Sequence, residues 1–308
     1  MNLIIIILIF FLAIVLFYII QRKLINISEF DKINHRSSHK TTATKNGGIV
    51  VFLLLFIFSI FFYLKGETVY DFSLLIPLSI MFVMGVYDDF YDADFKLKFF
   101  LQIIVAKLLI DQGFIIDNFH GIFGWYDIPR VASQLFTVFV FLVIVNAVNF
   151  IDGIDGLAIT EALKVIVTIE FIGLENTPLL SLGLIVGISL LPLYYFNFKK
   201  ENKIFLGDAG SLLLGTIIAL YVFHLLSLEY ELKPNFAVNK ALLAIVIVIY
   251  PLIDLLRVFI IRIAQKKSPF HPDKNHLHHL LLKKGISHFW IVIIIQLTSL
   301  SILFFGLI

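Results

Sequence analysis

Residues 130–157 read RVASQLFTVFVFLVIVNAVNFIDGIDGL. After Arg130 there is no charged side chain until Asp152, which is long enough to cross the ~30 Å hydrocarbon core of a bilayer as a helix. The run then delivers two carboxylates, Asp152 and Asp155, at its end. An apolar span ending in carboxylates sets the class of the whole chain, because the pattern recurs along it. Comparable runs lie at roughly 2–21, 47–64, 71–87, 97–112, 157–173, 178–196, 209–228, 239–261 and 287–307, so ten are expected. Composition agrees: 60% of the residues are hydrophobic and 15% charged, against about 45–50% and about 25% in soluble domains. The runs are continuous rather than alternating, which excludes a membrane β-barrel. Met1-Asn2 offers no basic segment before the first run and no small-residue cleavage site follows it, so that helix is expected to be retained. The expected fold is an all-α polytopic membrane protein of about ten transmembrane helices, forming one integral-membrane unit over residues 1–308. The formal charge of +2 gives no field that would attract nucleic acid. With 0 Cys there is no disulfide framework, thiolate metal site or thiol nucleophile.

Lysine and arginine set the orientation. Counting connections from the first run, seventeen fall in the odd loops and four (Lys65, Arg130, Lys233 and Lys240) in the even ones. The odd loops are therefore expected in the cytoplasm, with both termini outside it, and a cytoplasmic (inner) membrane as the location. The polar motifs gather in those same loops. They are Asn34-His35-Arg36-Ser37-Ser38-His39, Asp88-Asp89 with Lys98 and Gln102, Asn146 to Gly156, Phe205-Leu206-Gly207-Asp208-Ala209-Gly210-Ser211, and His271 to His279.

Their chemistry is of one kind. Asp152 and Asp155 are three apart and share a face on a helical turn, and carboxylates beside an apolar span are costly unless water, a cation or a metal compensates them. Asp208 lies in a glycine-flanked turn that opens a helix, where free N–H groups favour an anion. Several Asp residues next to an anion cradle point to a divalent cation bridging carboxylate and phosphate. Hard oxygen donors without Cys favour Mg²⁺, with Mn²⁺ as the alternative, over zinc. Arg36, Lys45, Lys98 and the histidine loop can meet phosphate charge. A zinc site at His276 and His279 ranks lower, since only His35 and His39 are on offer as a second ligand pair. Taken alone, these residues describe a membrane enzyme handling a phosphate-bearing polar donor, with a lipid acceptor. A transporter would hold its carboxylates near the bilayer midplane, not at helix ends.

Residues 146–157 and 205–212, together with Asp88-Asp89 and Lys98, resemble the polyprenyl-phosphate N-acetylhexosamine-1-phosphate transferase superfamily, which includes the MraY and WecA types. His276-Leu277-His278-His279 is similar to the His-x-His-His signature of the WecA side; the MraY side has three adjacent His. The resemblance implies transfer of an N-acetylated amino-sugar 1-phosphate from a UDP-sugar donor to a polyprenyl-phosphate acceptor such as undecaprenyl phosphate. That is the first membrane step of a cell-surface glycan such as O-antigen. A muramoyl-pentapeptide phosphotransferase of peptidoglycan synthesis is the alternative within the superfamily. The resemblance also implies roles. Asp208 ligates Mg²⁺, with Asn149 helping. Asp88 acts as base or orients the acceptor phosphate, with Asp89 beside it. Asp152, Gly153 and Asp155 lie by nucleotide and metal, Asp155 counting with Asp88, Asp89, Lys98 and His279 as catalytic, and Phe205 stacks on uracil. Lys98, Arg36, His276, His278 and His279 hold phosphates, and Asn197 joins the substrate contacts. A homodimer is left open.

Overall fold

Apolar runs in lipid have no water to bond their backbone, so they close their hydrogen bonds internally as helices. The computed structural model describes residues 2–26, 43–122, 124–236, 238–268 and 275–307, and every one of the ten runs is helical there. In chain order the elements are α1 (Leu3–Asn26), β1 (Ala43–Thr44), α2 (Gly47–Leu64), α3 (Leu75–Tyr91), α4 (Phe95–Asp111), β2 (Asn118–Ile122), β3 (Trp125–Asp127), α5 (Arg130–Ile151), α6 (Leu157–Ile172), α7 (Leu180–Asn197), β4 (Lys203–Ile204), α8 (Gly207–Leu226), α9 (Lys240–Ile247), α10 (Ile249–Ala264), α11 (Leu277–Lys283) and α12 (His288–Leu307). Seven of the described helices are long and apolar enough to cross a membrane, and the bent pair α9–α10 makes an eighth. The runs at 97–112 and 157–173 form the shorter α4 and α6, of 17 and 16 residues.

The bundle is built around α8, which is buried along nearly all of its length and packs against α2, α3, α5 and α6. Glycines permit the approach. A Cβ on Gly48 of α2 would lie 2.1 Å from the Gly210 nitrogen, and one on Gly85 of α3 would lie 2.4 Å from the Ala209 Cα. Missing side chains thus let three backbones meet at the start of α8. Deeper in the membrane, α6 carries a buried ion pair. Lys164 Nζ is 2.8 Å from Glu161 Oε1 and 2.8 Å from Ser299 Oγ of α12, and Gln296 donates to Glu161 Oε2 at 3.1 Å. Mutual pairing makes those charges tolerable in an apolar setting.

Hydrogen bonds sort the loops into two polar layers. In one, Gln112 donates to the Ser73 carbonyl at 3.2 Å, Ser133 to Ile116 at 2.7 Å and Lys233 N to Ile172 at 2.9 Å. In the other, Gln21 donates to the Asn202 carbonyl at 2.8 Å, and β1 pairs in parallel with β4 (Ala43 with Lys203, Thr44 with Ile204). Although short, α4 and α6 have one end in each layer. The short β1–β4 pair ties the entry to α2 to the entry to α8.

The run at 239–261, expected as one helix, is instead two helices bent by 72°. Pro251 is the physical reason. It has no N–H for the Ile247 carbonyl and its ring would clash there, so the helix ends before it and restarts with Pro251 in its first turn.

Gly85→Ala is expected to destabilise the bundle by about 1–3 kcal/mol through overpacking. Thermal unfolding of the purified protein in detergent measures this, and an unchanged midpoint would contradict the tight α3–α8 contact.

Candidate active site

Neighbouring residues on a helix point about 100° apart, so Asp88 and Asp89 at the end of α3 reach different partners. Asp89 accepts hydrogen bonds from the backbone N–H of Asp208 at 3.0 Å and of Ala209 at 2.9 Å. The anion expected from the sequence at the start of α8 is therefore, in this structure, the chain's own carboxylate, which caps the positive end of the helix. Gly207, at φ +75°, makes room for it, since a Cβ there would lie 2.8 Å from Asp89 Oδ2. Lys45 Nζ stands 3.6 Å from the same carboxylate. Asp88 accepts from Ala93 N at 2.9 Å and forms an ion pair with Lys98. Lys98 is placed by α4, which is locked to α5 one turn further on, where Asn146 Nδ2 donates to Gln102 Oε1 at 2.8 Å.

One turn beyond Asn146, Asn149 donates through Nδ2 to Asp208 Oδ1 at 2.5 Å and to Ser211 Oγ at 2.8 Å. In this geometry Asn149 orients the Asp208 carboxylate. Asp152, in the turn after α5, is partly accessible and faces the same cluster. Burial first, then the charges of Asp208, Asp89 and Asp155, hold its carboxyl well above the ordinary value, with Lys45 opposing. A carboxylate group this crowded with negative charge is a place where a cation lowers the energy. Among the described residues no three His, Asp or Glu side chains close around a metal ion. The carboxylate oxygens of Asp208 and Asp152 are of the donor type that suits Mg²⁺, which keeps several waters and is held by one or two carboxylates plus substrate phosphates.

Asp155, read from the resemblance as catalytic, is buried and committed elsewhere. It pairs with Lys203 beside β4, and its Oδ2 is 3.0 Å from His288 Nδ1 at the start of α12. Burial opposes its ionisation, but the His288 and Lys203 contacts prevail and hold its carboxyl below the ordinary value. Asn197, read as a substrate contact, is buried and donates to the Ile204 carbonyl at 2.9 Å, closing the loop before α8. Phe205 keeps a half-buried ring, while its backbone is held by Thr44 O at 2.8 Å and by Gly47 N at 2.9 Å.

The histidine segment abuts the carboxylate turn. A Cβ on Gly153 would meet His278 Nε2 at 3.5 Å and His279 Nε2 at 3.7 Å. His276 and His278 stack with centroids 5.3 Å apart, and His279 is 4.5 Å from His278. His278, expected as a phosphate ligand, is fully enclosed, and its Nδ1 is 3.2 Å from the Tyr250 hydroxyl. Burial, then the neighbouring His279, push its pKa down to about 3. It is neutral at physiological pH and adds no positive charge to the site. Arg36 lies outside the described residues, as do His35, His39 and His271. Sequence reasoning missed Lys203, His288, Tyr250 and Asp254. For Asp254 the signal was a carboxylate inside an apolar run, which is rarely idle.

Comparison with known proteins places these elements in context. The model of glycosyl transferase family 4 matches residues 71–226. A protein of Bacillus subtilis (strain 168) named "Probable undecaprenyl-phosphate N-acetylglucosaminyl 1-phosphate transferase" is 32% identical over 288 residues, covering 91% of this chain and 76% of that protein. The decaprenyl-phosphate N-acetylglucosaminephosphotransferase of Mycobacterium leprae (strain TN) is 31% identical, covering 85% and 72%. The undecaprenyl-phosphate alpha-N-acetylglucosaminyl 1-phosphate transferase of Escherichia coli (strain K12) is 27% identical, covering 94% and 79%.

Asp155→Asn is expected to lose about 3 kcal/mol, the scale for breaking a buried pair by removing one partner. The unfolding midpoint should fall markedly; an unaltered midpoint would deny Asp155 its role as a tie.

Proposed function

The chain belongs to glycosyl transferase family 4, and from that premise we propose that it transfers N-acetylglucosamine 1-phosphate from UDP-N-acetylglucosamine to undecaprenyl (polyprenyl) phosphate, releasing UMP. One observation carries this reading. The acidic pair Asp88-Asp89, the turn holding Asp152 and the Asp208 turn all fall within the matched segment 71–226. They also meet at the start of α8, at one end of a membrane bundle. A carboxylate cluster flanked by Lys45, Lys98 and a histidine segment suits the handling of two phosphates at a lipid surface. An apolar cavity of about 670 Å³ between α5, α8, α9, α10 and the β2–β3 hairpin, lined by Phe119, Phe139, Val222 and Ala244 among others, lies toward the end of α8 remote from Asp208 and offers room for the far part of a long prenyl tail.

A phosphate monoester has its second pKa near ~6 and is mostly a dianion at neutral pH. The acceptor oxygen therefore needs little help from a base. It attacks the β-phosphorus of the donor, a new P–O bond forms, the bond between the β-phosphorus and its bridging oxygen breaks, and UMP leaves with that oxygen. Lys98, held by Asp88, orients the acceptor phosphate, and Asp88 accepts any residual proton. Phe205 offers its ring to the uracil, and His276 and His279 face the diphosphate. When bound, Mg²⁺, held by Asp208 with Asn149 and Asp152 beside it, would neutralise diphosphate charge in the transition state. The basic layer containing Lys45, Lys98 and Lys203 faces the cytoplasm in this reading, at the inner membrane.

Purified protein with Mg²⁺, undecaprenyl phosphate and UDP-N-acetylglucosamine should yield UMP and a lipid heavier by the sugar phosphate, read by mass. UDP-muramoyl-pentapeptide should yield neither. Asp208→Asn should lower turnover by about two or more orders of magnitude at an unchanged unfolding midpoint; near-normal turnover would remove Asp208 from the chemistry. The orientation is checked separately. Single Cys residues replacing Lys200 and Lys233 in this chain of 0 Cys should label from opposite sides, the first only after the membrane is opened.

A further inference from the structure

Beyond the bend at Val248, α10 turns one face toward the histidine segment. Tyr250 and Asp254 are four apart and share that face. Asp254 is 0% exposed, although it sits in a helix of otherwise mostly apolar residues. Such a carboxylate persists only with strong partners, and both of its oxygens have them. Oδ1 accepts from the backbone N–H of Leu277, the first residue of α11, at 2.7 Å. Oδ2 lies 2.6 Å from His276 Nδ1. His278 Nδ1 stands further off, at 3.8 Å from Oδ2, and is nearer the Tyr250 hydroxyl. On its other side His276 meets the ring of Phe150 at 5.5 Å, the residue after Asn149.

Capping α11 requires only one oxygen of Asp254. The second is spent on an imidazole that is itself 5% exposed and adjoins the carboxylate cluster. A carboxylate accepting from Nδ1–H fixes the ring's orientation and directs Nε2 away from it; with hydrogen on both nitrogens, Nε2–H is the donor that a diphosphate oxygen needs. We propose that Asp254 is the positioning residue of this transferase site, holding His276 by Nδ1 so that Nε2 is presented to the diphosphate of the donor. This role rests on the transferase reading above. Asp254 touches no substrate and acts through the histidine alone.

That dependence gives the test. UMP release is measured for the full-length wild type, Asp254→Asn, His276→Ala, the double variant and Asp254→Glu, with unfolding midpoints taken alongside. Asp254→Asn should lower kcat by about 10- to 100-fold, the scale for losing a group that orients a functional histidine, with a smaller effect on KM for the lipid acceptor. In the His276→Ala background the same change should alter kcat by less than about twofold, because the route through the imidazole is already gone. Asp254→Glu retains the charge at a displaced position and should fall between wild type and Asp254→Asn, its loss also vanishing beside His276→Ala. If Asp254→Asn fails to accumulate, the Asp254→Glu pair decides. Losses that multiply in the double variant, or a wild-type rate in Asp254→Asn, would overturn the positioning role while leaving the transferase reading standing. Absence of UMP from the wild type would overturn the transferase reading itself, and the positioning role with it.

Discussion

The arrangement depends on Asp89 bonding the first N–H groups of α8. A helix that starts inside a bundle presents donors that neither lipid nor apolar side chains can satisfy. Here the cap comes from another helix, so the bond that satisfies α8 also fixes α3 against it. Once α3 and α8 are joined, Asp88 on α3 and Asp208 on α8 have no freedom to separate. Gly48 and Gly85 complete the joint by letting α2 and α3 reach the α8 backbone. The cluster is thus a by-product of how the central helix is closed, and its chemistry and stability share the same few atoms.

Much of this was legible in the sequence because lipid leaves few choices. An apolar run of sufficient length must be helical, and the ten runs are. Lysine and arginine divide between two loop layers, and the Asp motifs converge at the layer richer in them. Other features depended on contacts between segments far apart in the chain. Nothing in Asp155 or its neighbours announces Lys203 and His288, which reach it from other loops. The α8 turn reads as a phosphate cradle until Asp89 is seen to occupy it. Pro251 was visible, but a proline in an apolar run can bend a helix slightly or break it, and only its packing decides. His278 sits in a motif that reads as cationic, yet enclosure beside Tyr250 and His279 makes it neutral.

The 72° break sends α10 toward the histidine segment and away from the line of α9. A straight helix would carry Asp254 along the α9 axis instead. One proline therefore determines which side chains can steady the histidines.

The shortness of α4 bears on the membrane itself. At about 1.5 Å per residue, its 17 residues extend roughly 25 Å, less than the ~30 Å of surrounding hydrocarbon. A helix this short is matched by thinning of the bilayer beside it or by long polar side chains at its ends reaching for the headgroups, at a modest free-energy cost per ångström of mismatch. Lys98, near the start of α4, is a side chain long enough to reach the headgroups in that way. In the proposed transfer, a lipid phosphate would meet Lys98 and Asp88 at its own depth, without drawing its isoprenoid chain out of the oil.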